Sequence, residues 1–124
     1  MIKKFSLFLP LLYLLAIPMA CGNRLDLGNF DKDEWQADLN GCDSKRSQML
    51  KEIEEVKPQL LGLYQKAIIK VLGQPEEQEL YRRSQTYYIY WLDPSSGCPS
   101  PIEKPRKLEV RFTALGIANE INIR

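Results

Sequence analysis

The sequence contains no histidine, and this absence removes the side chain that most often serves as a general base near neutral pH. The serines therefore lack the usual partner for nucleophilic catalysis. The 17 basic and 16 acidic side chains leave a net charge of only +1, without the basic excess that nucleic-acid binding requires. Paired CxxC cysteines, glycine-rich phosphate loops and metal-ligand spacings are also missing from the sequence. We therefore expect a protein that is not an enzyme and has no cofactor, metal, nucleic acid or small-molecule substrate.

The N-terminus carries the only long apolar run. The positive stretch "MIKK" precedes "FSLFLPLLYLLAIPMA", which suits a signal peptide but is short for a membrane-spanning helix of about 20 residues. Pro10 and Pro18 also disfavour a long uninterrupted helix. The sequence therefore predicts a signal peptide over residues 1–20 and a body that works outside the cytoplasm.

Cys21 stands at the end of this segment, between Ala20 and Gly22. Lipoprotein signals end before a cysteine whose thiol receives lipid, although Pro18 occupies a position that is usually aliphatic. A plain secretory cut near Ala20 and an uncleaved anchor are the alternatives. Acyl chains retain a protein on a bilayer because each buried methylene contributes roughly 0.8 kcal/mol. We expect lipidation at Cys21, a tether over residues 21–29, and anchoring to the bacterial cell envelope. Gly22 in place of aspartate resembles lipoproteins that are passed to the outer membrane, and this resemblance implies its periplasmic face as the location.

The other two cysteines, Cys42 and Cys98, form an even pair once Cys21 is assigned to lipid. Disulfides persist in the oxidising compartments that exported proteins reach. We predict a Cys42–Cys98 disulfide, which would stabilise the fold by roughly 4 kcal/mol in the chain-entropy description. A redox or metal pair is the alternative, and the lack of histidine and of CxxC argues against it.

A strong helix start opens the predicted domain, residues 30–124. Asp31 can cap the helix, and Glu34 follows three residues later, as in a capping box. Phe30 and Trp35 occupy the two positions of a hydrophobic staple.

Apolar residues at helical spacing continue from this start and predict a long helix over residues 31–57 that ends at Pro58. Gly41 weakens that helix, so a kink or two shorter helices are alternatives. The stretch "YQKAIIKVLGQP" predicts a second, short helix that ends at Gly73.

Strand patterns fill the C-terminal half. The charged stretch "EEQELYRRSQ" is interpreted as a connection, "TYYIYWL" as a strand and "DPSSGCPSPIEKPR" as a loop. Apolar and polar residues alternate in the stretches "KLEVRFT" and "IANEINIR", which flank the turn "ALG". They predict a hairpin with one solvent-exposed face. Its expected inward residues are Leu108, Val110, Phe112, Ile117, Ile121 and Ile123. We therefore expect an α+β fold in which two N-terminal helices pack on one face of a three-stranded antiparallel sheet.

The aromatic strand has two apolar faces, whereas the hairpin strands have one. One face of the aromatic strand therefore lacks an obvious cover, and exposed aromatic residues often mark a binding surface. The alternative is that the first helix or the proline-rich loop covers them. The predicted partner surface consists of Tyr88, Tyr90 and Leu92, with Arg82 and Arg83 at its rim.

The second half of the chain resembles a known family. The matching positions, within about residues 60–123, are Leu61, Gly62, Leu72, Gly73, Pro75, Tyr88, Tyr90, Phe112 and Gly116. They resemble the SmpA/OmlA lipoprotein domain, which has the BamE-like fold. The resemblance implies a small accessory part of outer-membrane assembly or integrity that binds an envelope protein. The related BLIP-like arrangement implies the alternative, a binding module that inhibits a secreted or periplasmic enzyme.

Overall fold

Residues 25–124 are described by a computed structural model, so the predicted signal peptide and the predicted lipidation site at Cys21 lie outside the described residues. Within these residues the α-helices are α1 (Lys32–Ala37), α2 (Leu50–Leu60) and α3 (Gln65–Leu72). The four strands are β1 (Glu77–Tyr81), β2 (Gln85–Trp91), β3 (Lys107–Phe112) and β4 (Ala118–Ile123). They form one antiparallel sheet in the order β1-β2-β3-β4. The predicted α+β class is confirmed, with one helix and one strand more than expected.

The start of α1 is the one that the sequence predicts. The Asp31 side chain accepts hydrogen bonds from the backbone N–H groups of Asp33 and Glu34, both at 3.1 Å. The Phe30 and Trp35 rings contact each other with their centroids 5.7 Å apart. The cap satisfies two N–H groups that have no partner within the helix, and the ring contact fixes how the chain enters it.

The predicted long helix is wrong, and the alternative of two shorter helices is the one observed. The chain leaves α1 at Asp38 and passes through 3₁₀ turns at Leu39–Gly41 and Arg46–Met49 before α2. Asn40 and Gly41 have positive φ angles of 59° and 69°, which no α-helix accommodates.

One long-range contact and one local set of hydrogen bonds hold this break in place. A Cβ atom on Gly41 would lie 2.5 Å from the carbonyl oxygen of Asp93, so only glycine allows the close approach. The buried Asp38 carboxylate accepts hydrogen bonds from the N–H groups of Asp43 at 2.7 Å, Lys45 at 2.9 Å and Arg46 at 3.0 Å. The break therefore has its own hydrogen-bonding scheme, which the apolar spacing does not reveal.

The ends of the next two helices give one wrong prediction and one confirmed prediction. Pro58 does not end α2 but lies inside its last turn, and the helix continues to the buried Leu60. A proline there removes a single N–H donor near the end of the helix, which costs less than it would at the centre. The second helix forms as predicted and is capped by Gly73, whose φ is 79° and whose N–H donates to the Ile69 carbonyl at 2.8 Å.

The stretch interpreted as a charged connection contains β1, so that prediction is wrong. The strand pairs with β2 in the register Glu79↔Tyr87, and all five of its residues are exposed. An edge strand that buries nothing shows no alternation of apolar and polar residues, which explains why the sequence pattern misses it.

The hairpin is confirmed, with one correction to its inward residues. A register shift between Arg111 and Phe112 places Ala118 opposite Phe112, so Ala118 enters the core in place of Ile117. Ile117 instead forms an isolated bridge with Tyr64. The core lies between the helices and one face of the sheet, with Trp35, Ile53, Leu60, Ile68 and Leu72 packed together with Tyr90, Leu108, Val110 and Phe112.

The predicted tether over residues 21–29 overlaps the first residues that the structure describes. Leu25 and Leu27 pack against the core, and the Leu27 carbonyl accepts a hydrogen bond from the Phe30 N–H at 3.0 Å. The packed body therefore begins at least as early as Leu25. Within residues 25–124, no helix has the length and apolar character needed to cross a membrane.

Candidate interaction surface

The predicted partner surface is wrong in its central residues. Tyr88, Tyr90 and Leu92 belong to the core, and the Tyr90 side chain has 0% exposure. The Tyr90 ring lies 6.3 Å from the Trp35 ring, and its hydroxyl donates to the Gly73 carbonyl at 2.9 Å. Burial raises the pKa of the Tyr90 hydroxyl above its ordinary value. These side chains point toward the helices, so the alternative of helical cover holds, although the cover is not one long helix.

The two arginines of the predicted rim do lie at the surface. Arg82 and Arg83 are exposed in the turn between β1 and β2, where Arg83 has a φ of 61°. The structure does not place them around the buried tyrosines. They lie at the end of the exposed edge strand instead.

The opposite face of the sheet carries the aromatic residues that remain accessible. Residues directly opposite each other across β1 and β2, such as Tyr81 and Gln85 or Glu79 and Tyr87, share this face. Tyr81, Tyr87, Ile89 and Trp91 lie on it, outside the core cluster that contains the helices. Ile89 is itself buried at 0% exposure, so the accessible surface of this face comes from the three aromatic rings. Tyr81 is 50% exposed, and its ring meets the Tyr87 ring edge-on at 5.6 Å. We call the surface formed by Tyr81, Tyr87 and Trp91 the open face.

Cationic side chains accompany the rings of the open face. The Arg111 guanidinium lies 5.7 Å from the Tyr81 ring centroid, and the Lys107 ammonium lies 5.9 Å from that of Trp91. Arg111 also donates two hydrogen bonds to the Gln85 side chain. Such cation–π contacts stabilise exposed sites by about 0.5–1 kcal/mol, and they hold the rings in defined positions.

A cleft adjoins the open face at Trp91. Its volume is about 340 Å³, and its lining consists of Trp91, Ser95, Ser96, Pro101, Ile102, Glu103 and Pro105. All but Trp91 belong to the loop between β2 and β3, so the cleft depends on how that loop is held.

Three sets of contacts hold this loop. Cys42 and Cys98 are joined by a disulfide with their Cα atoms 5.3 Å apart, as the sequence predicts. The Asp93 carboxylate accepts from the Arg106 N–H and Nε at 2.8 Å and from its Nη2 at 3.0 Å. These bonds, the side-chain bonds foremost, lower the pKa of Asp93 below its ordinary value. The Ser95 hydroxyl donates to the Asn40 carbonyl at 3.0 Å.

A buried ion pair connects the two halves of the chain, and sequence reasoning missed it. The fully buried Arg46 donates to a Glu76 carboxylate oxygen at 2.6 Å and to the carbonyls of Trp35 at 2.8 Å and Trp91 at 3.1 Å. The guanidinium also lies 5.0 Å from the Trp35 ring centroid. Arg46 and Glu76 are 30 residues apart, so no local pattern identifies them. Because neighbours satisfy their charges, we assign this pair a structural role.

A metal site would need several ligand side chains close together. Residues 25–124 contain no group of three or more histidine, cysteine, aspartate or glutamate side chains that could hold a metal ion. Comparison with protein-family models, with curated proteins and with solved structures finds no match to this chain.

Proposed function

We propose that the protein is a non-enzymatic, lipid-anchored module of the bacterial cell envelope that binds a protein partner through the open face. One observation carries this proposal: the helices of the core pack on one side of the sheet, while Tyr81, Tyr87 and Trp91 line the other. Aromatic side chains provide a large contact area at a small cost in side-chain entropy and often dominate the energy of interfaces.

The chemistry of the open face suits a folded protein surface. Arg111 and Lys107 add charge beside the rings, so a partner can meet both an apolar and an ionic requirement. The adjoining cleft of about 340 Å³ has room for a projecting side chain or turn of the partner. The disulfide and the Asp93–Arg106 pair hold this cleft in one shape, which reduces the entropy lost on binding.

The proposed location rests on the sequence together with two structural features. The Cys42–Cys98 disulfide suits an oxidising compartment, which the predicted export signal would provide. Packing begins by Leu25, four residues after Cys21. A fully extended chain of that length spans at most about 14 Å, so a lipid on Cys21 would hold the body close to the bilayer surface.

Two kinds of partner fit this arrangement. The resemblance to the SmpA/OmlA domain favours an accessory role in outer-membrane assembly or integrity, with the tether retaining the protein beside its partner. The BLIP-like alternative is inhibition of a secreted or periplasmic enzyme. A form released from the membrane would favour the inhibitor, because capture of a secreted enzyme does not require an anchor.

Photo-crosslinking in living cells tests the open face. A photoreactive phenylalanine analogue replaces Trp91 in the full chain, and the same analogue replaces Tyr64 as a matched control. Tyr64 is an exposed aromatic residue that precedes α3 and lies outside the open face. We expect one recurrent protein adduct from position 91 and none from position 64. Equal labelling from both positions, or no adduct from position 91, would contradict the proposal.

Mass spectrometry of the mature protein tests the anchor separately. We expect an N-terminal peptide that begins at Cys21 and carries acyl chains. An unmodified Cys21 thiol, or a peptide that begins upstream of Ala20, would show that the proposed lipid anchor is wrong. The proposal for the open face would then apply to a protein that is secreted or anchored in another way.

A further inference from the structure

The outer edge of β1 is an unused pairing surface in the described sheet. β1 lies at the end of the order β1-β2-β3-β4, and all five of its residues are exposed. Leu80 is 85% exposed, more than any other large apolar side chain within residues 25–124. Edge strands of this kind can pair with a further strand unless charge, proline or a bulge prevents it.

Hydrogen-bond directions alternate along a strand, and this determines which residues of β1 face the free edge. The N–H of Leu92 donates to the Arg106 carbonyl at 2.9 Å, so even-numbered positions along β2 bond toward β3. Odd-numbered positions along β2 therefore bond toward β1, in the pairs Glu77↔Ile89, Glu79↔Tyr87 and Tyr81↔Gln85. Gln78 and Leu80 are left with their N–H and C=O groups directed outward.

The charges along this edge are ordered by sign. Glu77 and Glu79 lie in the strand, whereas Arg82 and Arg83 lie in the turn that follows it. All four side chains are exposed or nearly so, and none takes part in an ion pair within residues 25–124. An antiparallel second copy would bring the acidic end of one strand beside the basic end of the other.

The alternation of hydrogen bonds restricts the register of such a pair, because outward-bonding residues must stand opposite each other. Leu80 opposite Leu80 satisfies this condition, and it brings Glu77 of each strand close to the turn of the other copy, where Arg82 and Arg83 lie. If each strand shifts by one residue, the two-fold axis passes through Glu79 instead. The Glu79 carboxylates of the two copies then stand directly opposite each other, and like charges in that position destabilise a strand pair. The sequence of the edge is thus complementary to itself about Leu80.

We propose that β1 pairs with β1 of a second copy of this chain, antiparallel about a two-fold axis at Leu80, and joins two four-stranded sheets into one. This inference does not depend on the proposed function. A strand from an unrelated protein could use the same N–H and C=O groups, but the order of acidic and basic side chains favours a second copy. Pairing would bring the Tyr81 side chains of both copies near the centre of one continuous open face.

Disulfide trapping of the full chain tests the contact. In bonded antiparallel pairs the Cα atoms are about 5.5 Å apart, within the range that a disulfide spans. Leu80→Cys is oxidised in cell lysate with a mild reagent and examined on non-reducing gels. Leu115→Cys is the matched control, because Leu115 is 80% exposed and lies away from β1. The parent chain reports any dimer linked through Cys21. We expect at least tenfold more dimer from Leu80→Cys than from Leu115→Cys, and equal yields would overturn the proposal.

Charge reversal in the Leu80→Cys background tests the register. Glu77→Arg alone and Arg83→Glu alone each bring like charges together where the strand of one copy meets the turn of the other, so each should lower the dimer yield several-fold. Co-expression of the two variants with tags of different size restores opposite charges at both ends of the paired strands. We expect the mixed dimer to recover the Leu80→Cys yield, which would also show that both variants are folded. Failure of the mixed dimer to exceed the two homodimers would overturn the pairing about Leu80.

Discussion

Neighbouring residues on the two faces of β2 have the same chemistry and opposite roles. Tyr88 and Tyr90 are buried beneath the helices, whereas Tyr87 and Trp91 are half-buried on the open face. The difference lies in what covers each face, and the cover comes from residues distant in sequence, such as Trp35. An aromatic strand therefore predicts a core and a binding surface equally well, and only the placement of the helices separates the two.

The covered face should be far more sensitive to truncation than the open face. Tyr90→Ala removes a fully buried ring and a hydrogen bond to Gly73, and we expect a loss of about 3–5 kcal/mol in the free energy of unfolding. Tyr87→Ala on the open face should cost less than about 1 kcal/mol. Urea unfolding of both variants measures the contrast. Similar losses would show that the open face is packed as tightly as the core.

Removing the disulfide should have the next largest effect, because the bond ties the cleft beside the open face to the covered side. Cys42 and Cys98 are 56 residues apart, and we expect the double serine variant to lose about 2–4 kcal/mol. The unfolding midpoint is compared with that of the oxidised parent. The reduced parent serves as a control and should match the variant. Equal midpoints for variant and oxidised parent would mean that the bond contributes no stability.

Disrupting the contact between Gly41 and Asp93 should have the third largest effect on stability. Gly41→Ala adds a Cβ at a positive φ and against the Asp93 backbone, and we expect a loss of about 2–3 kcal/mol. Gly28→Ala is the matched control, because Gly28 has a φ of 56° and an added Cβ there would meet no atom within 4 Å. Its cost should be about 1 kcal/mol, from the backbone conformation alone. Equal losses, measured by urea unfolding, would show that the close approach has no energetic consequence.

These contrasts explain which parts of the fold follow from the sequence. The Asp31 cap, the α3 helix and the alternation in β3 depend on local chemistry and periodic burial, which a sequence pattern reveals directly. The break before α2 depends on Gly41 meeting Asp93, which lies far along the chain. The edge strand β1 buries nothing and so leaves no apolar pattern.

The candidate interaction surface likewise has features that the sequence predicts and features that it does not. The disulfide follows from the even number of cysteines left after Cys21 and from the predicted oxidising compartment, and composition alone identifies the aromatic strand. The sequence assigns the wrong face of that strand to the surface, because the helices that decide it are positioned by long-range packing. It gives no sign of Tyr81 as a surface residue of the sheet, since Tyr81 belongs to the edge strand that resembles a charged connection.

Removing the Asp93–Arg106 ion pair of the cleft loop should have the smallest effect on stability, because the Arg106 side chain is 47% exposed and solvent screens its charge. Its signature is a dependence on pH. Hydrogen bonds from Arg106 hold the pKa of Asp93 below its ordinary value of 3.8, so the folded state favours the ionised carboxylate. The stability from this shift is fully present above the ordinary pKa and is lost as the pH falls through the lowered pKa of the folded state.

Arg106→Gln removes the main cause of this shift while leaving the backbone N–H that also bonds Asp93. We expect the variant to be slightly less stable than the parent at neutral pH. The two curves of unfolding free energy against pH should converge below about pH 4, where the parent loses its advantage. Thr113→Ser, away from this loop, controls for general effects of substitution. Curves that stay parallel into the acid range would show that the Asp93 carboxylate gains nothing from the Arg106 side chain, and the disulfide and the backbone hydrogen bonds would then be the main contacts that hold the cleft.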